Sequence, residues 1–208
     1  MKMNRNFMII FLVSMLLVSN VAYKSADAAN KYVKIKSWYS DCATVGYWSF
    51  SPYVSFTNLN NSFEISSYVN NAVTKWRSAG ISSYITVSPA NADIRAFSGT
   101  RAQLNAMGMN YDSSTNGLTV WNSSKETGST NGARKIRKLS RVTMSVCKEA
   151  GKNYYKNVTM HELGHALGWM GHHKSSKALM YKYSKKNVVS ISTEDKKQLK
   201  QIYNAMNK

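Results

Sequence analysis

His161-Glu162-Leu163-Gly164-His165-Ala166-Leu167-Gly168-Trp169-Met170-Gly171-His172-His173 holds all four histidines of this 208-residue chain. Its opening, His-Glu-x-x-His, has the spacing a helix needs to present two imidazoles and a carboxylate to one point. At about 100° per residue, His161 and His165 lie roughly 40° apart on one helix face, about 6 Å along the axis. Their rings can converge on one metal ion. Glu162 points to a neighbouring face, where its carboxylate can reach a water at the metal without itself being a ligand. That geometry suits hydrolysis.

A catalytic zinc with an open position needs a third protein ligand. On a continuous helix, His172 would stand about 10 Å beyond His165 and out of reach. The chain must break and turn back, and Gly168 and Gly171 are placed to allow it, because glycine accepts the positive φ that ends a helix. Ala178-Leu179-Met180-Tyr181 follows soon after.

At these residues the chain resembles the metzincin metallopeptidases, and among them the matrixin-like group. The family pattern is His-Glu-x-x-His-x-x-Gly-x-x-His followed by a methionine-containing turn beneath the metal. The match runs through Gly168 and resumes at Ala178–Tyr181. Asn91-Ala92-Asp93-Ile94 and the helix ending near Trp76 are similar to further matrixin elements, less specifically. The likeness spans roughly residues 50–205, with its specific part in 157–183. One departure matters. Gly171 occupies the position of the third histidine, so a loop longer by one residue would make His172 the ligand, with His173 as the alternative. Where a tyrosine reaches the metal in some other metzincins, two residues after the methionine, this chain has Lys182.

The resemblance implies one catalytic Zn2+ held by His161, His165 and His172, with Glu162 as general base for peptide-bond hydrolysis. Met180 becomes an apolar floor below the metal. A structural zinc of the matrixin kind is not expected, since no histidine lies outside 161–173, and ten acidic residues make calcium sites doubtful. No cysteine-bearing latency segment is recognisable. By the same likeness, a protein or peptide substrate lies along the strand at Leu118–Trp121 as an added strand. Residues Tyr183 to Ser190 would bound the pocket beyond the cleaved bond.

Outside the motif, the sequence speaks to location and partners. Lys2 and Arg5 precede an apolar run from Phe7 to Val18, and Ala26-Asp27-Ala28 offers small residues for cleavage. This reads as a signal peptide cleaved after Ala28, or after Ala29, leaving residues 29–208 as a single domain. The apolar run is shorter than the roughly 20 residues of a membrane span, and no later stretch is apolar enough to cross a bilayer. A secreted, extracellular monomer is expected. Residues 1–28 hold three cations and one anion, so +16 of the chain's formal +18 stays with residues 29–208. That charge favours anionic cell-envelope polymers. No recognition motif accompanies it, so specific nucleic-acid binding is not expected. Cys42 and Cys147, in an exported chain, read by default as a disulfide.

The fold expectation is α+β, a zincin/metzincin-like catalytic domain with a mixed twisted sheet of about five strands and three helices. Strands are predicted at Lys31–Lys36, Tyr53–Thr57, Tyr84–Ser88, Asp93–Phe97, Leu118–Trp121 and Val142–Cys147. Helices are predicted from an Asn61 cap to Gly80, from Asn157 to Gly168, and from Ser192 onward. Residues 98–116 read as loop.

A rival reading keeps the chain out of the enzymes: a secreted basic protein that binds envelope polyanions through its charge, with a structural or degenerate zinc site. Its weakness is Glu162, since a closed structural site needs no carboxylate beside it. A third reading, a self-processing or toxin-type protease of narrow target, shares the peptidase chemistry and differs in substrate.

Overall fold

The computed structural model describes residues 31–131, 134–186 and 190–208, so the expected signal peptide lies outside the described residues. The chain is α+β. Seven strands form one mixed sheet: β1 (Lys31–Val33), β2 (Thr44–Tyr47), β3 (Tyr53–Asn58), β4 (Tyr84–Ile85), β5 (Ile94–Gly99), β6 (Gly117–Thr130) and β7 (Arg134–Cys147). Among the described residues four helices accompany them: α1 (Ser66–Ser78), α2 (Arg101–Ala106), α3 (Lys152–Ala166) and α4 (Thr193–Met206). Strand order is β1-β6-β7-β5-β3-β4, and β2 pairs with β7 beside β5. Only β6 and β7 run antiparallel.

One strand, β2, was not among those predicted, and two others run longer than predicted. β2 lies in a stretch to which the sequence reading assigned no element, although Val45, Tyr47 and the adjacent Trp48 are buried. The polar and basic connection expected between Trp121 and Val142 is itself strand, and makes β6–β7 a long hairpin. Its register shifts between Val120 and Ser123, Ser123 and Ser124, and Glu126 and Gly128. Each irregularity breaks the period-two alternation that reveals a strand in sequence.

The helices moved too. α1 begins at Ser66 behind Ile65, not at an Asn61 cap. Asn60 is spent on a local turn, its Oδ1 accepting from the Ser62 amide at 3.0 Å, while Asn58 Oδ1 receives the Ile65 amide at 3.2 Å. Gly80 ends α1 as expected, with φ +84° and the Ile81 amide donating back to Trp76. α2 falls inside the predicted loop and is held by a capping box of Thr100 and Gln103. The Ser192 cap of α4 is present, with Asp195 as its reciprocal partner.

The main core packs α1, α3 and α4 against the sheet around Trp48, Trp76, Trp169, Ile65, Leu163 and Met180. Leu104, Met109, Tyr111, Cys147 and Ala150 form a smaller cluster beneath α2. The expected disulfide is absent. Cys42 is a half-buried free thiol, and Cys147 is a free thiol in the smaller cluster. Among the described residues no helix is long and apolar enough to cross a membrane.

Candidate active site

The site is built on α3, which from Asn157 to Ala166 is buried on every side. A helix so enclosed cannot rely on water for its terminal carbonyls. Indole and phenol groups from three directions supply the donors. Trp48 Nε1 donates to Ala166 O at 2.9 Å, Trp121 Nε1 to His165 O at 3.0 Å, and the Tyr203 hydroxyl to Leu167 O at 2.7 Å. Gly168, at φ +114°, stops the helix where the sequence placed the stop. Its amide donates to His165 O and the next amide, of Trp169, to Gly164 O, which closes a Schellman turn. The turn sends the chain back along its own end.

That reversal brings His172 to the two helix histidines. One ring nitrogen from each of His161, His165 and His172 lies within 4.8 Å of the others. His161 and His172 stack at 5.5 Å between ring centroids, and His165 stands perpendicular to both. His173 goes elsewhere. It is 7% exposed, stacks on Tyr39, and its Nδ1 accepts the Ser175 amide at 2.8 Å. His173 is thus buried and does not line the cleft.

The donor set fits a divalent cation of the zinc kind. Nδ1 of His161 faces Leu179 O at 2.8 Å, and Nδ1 of His165 faces Trp169 O at 2.6 Å. A carbonyl only accepts, so both protons sit on Nδ1 and both Nε2 atoms carry free lone pairs. Those two lone pairs face each other at 2.9 Å, a repulsive arrangement that a cation relieves. Burial also keeps the rings neutral. It lowers the pKa of His161 to about 4 and takes His165 well down and His172 down as well.

Glu162 lies beside this cluster, 5% exposed. Burial pushes its carboxyl up to about 8, against the opposing pull of a hydrogen bond from Thr119. The Thr119 hydroxyl stands 2.7 Å from Oε2 and 3.1 Å from the Glu162 carbonyl. Gly117 leaves room for the carboxylate, since a Cβ there would stand 2.6 Å from Oε1. Thr119 and Gly117 both belong to β6, so strand and helix together fix the acid.

Met180 is fully buried, and Gly164 of the motif admits it: a Cβ on Gly164 would meet Met180 Sδ at 2.5 Å and Trp76 at 2.7 Å. The turn carrying Met180 hangs from Asp195, a fully buried carboxylate in α4. Asp195 accepts the Leu179 amide at 3.0 Å and the Met180 amide at 3.4 Å. The carbonyl of Leu179 in turn holds His161. From the sequence, Asp195 is only an acidic residue in the first turn of the helix that Ser192 begins. Nothing in the sequence pointed to the methionine turn.

The three histidines and Glu162 line one cleft of about 650 Å³. His161, Glu162, His165 and His172 form its floor, Gly117–Thr119 and Trp121 one wall, and Tyr181–Ser184 the other. Of the expected pocket residues, Tyr183 and Ser184 reach this cleft, and residues 187–189 lie outside the described residues. Along Gly117–Val120, β6 pairs with β7 alone, because β1 meets it only at Gly128–Thr130. The strand edge facing the cleft is therefore open among the described residues.

A helix with paired histidines, a reversed loop bearing a third, and a buried methionine turn below them define a metzincin-type site. The matrixin family model, Peptidase M10, matches residues 44–204. The chain belongs to the matrixin family and is a zinc metallopeptidase of that lineage. Among solved structures it is similar to that of myroilysin, with 12% identity and a TM-score of 0.40, covering 76% of this chain and 95% of that one. No curated protein sequence matches.

Proposed function

We propose that this protein is an exported zinc endopeptidase in which His161, His165 and His172 hold the metal and Glu162 is the general base. The observation that carries the reading is the buried Glu162 carboxylate standing beside three convergent, neutral imidazoles on the floor of an open cleft. Zinc bound there would supply a Lewis acid that acidifies a water and polarises the scissile carbonyl. Glu162 accepts the proton of the attacking water on its carboxylate and returns it to the nitrogen of the leaving amine. Burial raises this carboxyl to about 8 in the metal-free protein, and a cation held beside it would favour the ionised form that accepts the proton. The peptide lies extended along the open edge of Gly117–Val120, which receives it as an additional strand.

Thr119 orients the base. A Thr119→Val substitution is expected to lower kcat about tenfold with little change in KM, and Thr119→Ser to retain activity, as steady-state kinetics on one peptide will show. Equal activity in the valine variant would remove Thr119 from the mechanism.

Residues 1–28 direct export in this reading, and the basic remainder then meets anionic envelope polymers. The β6–β7 hairpin supports that partner: Lys125, Lys135, Lys138 and Arg141 are exposed on it, and Lys125 stands directly opposite Lys138. Opposed like charges cost stability that an anion recovers. The one ion pair among the described residues, Lys135 with Glu126 at 3.4 Å, is itself exposed.

The test is cleavage of a mixed peptide library by the purified, zinc-loaded protein. Turnover that disappears on chelation and returns with zinc supports the peptidase. Stoichiometric zinc without cleavage would favour a polyanion-binding protein with a structural metal.

A further inference from the structure

The loop that carries His172 is longer by one residue than the family pattern, and an added residue would ordinarily leave a ligand loose. Here a segment from the N-terminal side of the domain lies across it. Asp41 and His172 exchange two hydrogen bonds: the Asp41 amide donates to His172 O at 2.9 Å, and the His172 amide to Asp41 Oδ1 at 2.6 Å. The Ser40 hydroxyl, in a buried residue, donates to Met170 O at 2.6 Å, and Ser40 bridges His173. Between these contacts sits Gly171, at φ +76°. A Cβ at Gly171 would run into Cys42, Asp41 and Ser40, so the family's histidine position has no space here for a side chain.

The segment is itself anchored. Trp38 Nε1 donates to Cys42 O at 3.0 Å, and the Tyr39 amide donates to Oε1 of the buried Gln198 on α4, also at 3.0 Å. On the other side of the loop, the His173 amide donates to Met180 O at 2.7 Å. The backbone of 170–173 is thus gripped between a strap and the methionine turn, with the His172 ring as its free projection into the cleft.

We infer that Ser40–Asp41–Cys42 is a positioning strap for His172, which offsets the extra loop residue and thereby sets the affinity of the site for zinc. This rests on His172 being a metal ligand. Asp41 and Ser40 do not line the cleft and act through the backbone that bears the ligand.

The experiment is zinc affinity by chelator competition on the purified protein, with the absorption spectrum of the cobalt(II) form as a report on ligand geometry. Asp41→Ala is expected to weaken zinc binding at least about tenfold and to alter the cobalt spectrum, the size of effect that groups supporting a metal ligand typically have. Asp41→Asn keeps an acceptor oxygen and is expected to stay within about threefold of the wild type, since it loses only the charge assistance. Ser40→Ala gives a second, independent loss. Circular dichroism of the metal-free variants establishes that each is folded. Asp41→Ala and Ser40→Ala binding zinc within about twofold of the wild type, with the cobalt spectrum unchanged, would overturn the strap. His172→Ala separates the two ideas. Its loss of affinity, greater than that of Asp41→Ala, upholds the ligand assignment, whereas wild-type affinity there removes His172 from the site and the strap with it.

Discussion

Glu162→Gln is expected to lower kcat by about a thousandfold while zinc stays bound at one per chain. Glutamine has the shape of glutamate, so its carbonyl oxygen still accepts the Thr119 hydroxyl and the packing against Gly117 is kept. What it lacks is the ability to take a proton from water. No second acid can substitute, because Glu162 is the one carboxylate lining the cleft among the described residues. The three imidazoles are untouched, so metal content by atomic absorption should equal that of the wild type. Turnover within about tenfold of the wild type would assign the base elsewhere.

The second large effect falls on stability. Gly168→Ala is expected to cost about 3 kcal/mol or more. At φ +114° an L side chain is strained, and the new Cβ would be driven into the carbonyl of Gly46. The hydrogen bond from the Gly46 amide to Gly168 O, 2.7 Å long, joins β2 to the end of α3 and would break. For a domain of this size the loss corresponds to a fall in Tm of about 6–12 °C, readable by calorimetry on the metal-free protein. The damage should also reach the metal, because the following residue, Trp169, holds His165 through its carbonyl. A variant with wild-type Tm would contradict the turn described for residues 166–169.

Much of this site was legible before the structure. The three histidines and Glu162 were named from spacing and family likeness, and the structure brings all four together. Gly168 was readable because a ligand beyond the helix demands a reversal and glycine is the residue that permits it. The choice of His172 over His173 came from counting one inserted residue, and the contacts that Asp41 and Ser40 make with this loop leave no local pattern in the sequence. Asp41 and Thr119 lie 131 and 43 residues from the groups they hold. Contacts that distant in sequence leave no periodicity behind.

The fold was legible where burial imposes a period and obscure where it does not. The apolar spacing in α1 and α4 marked those helices, although Asn61 misled as a cap because neighbouring asparagines serve local turns. The middle of the β6–β7 hairpin, between Trp121 and Val142, hid behind serine, threonine and lysine, since three register shifts leave no clean alternation there. α2 carried its signal openly in Thr100-Arg101-Ala102-Gln103, a capping box inside a stretch dismissed for its glycine and serine content. The cysteines were misjudged on compartment alone. Chemistry of export makes a disulfide possible, and only the fold decides whether two sulfurs meet.

The most direct test of the central claim is a crystal structure of the zinc-loaded protein with anomalous data at the zinc edge. One ion per chain is expected, about 2.0–2.1 Å from a nitrogen of each of His161, His165 and His172, with its remaining position open to the cleft. A fourth protein ligand closing the shell, or His173 in place of His172, would contradict it.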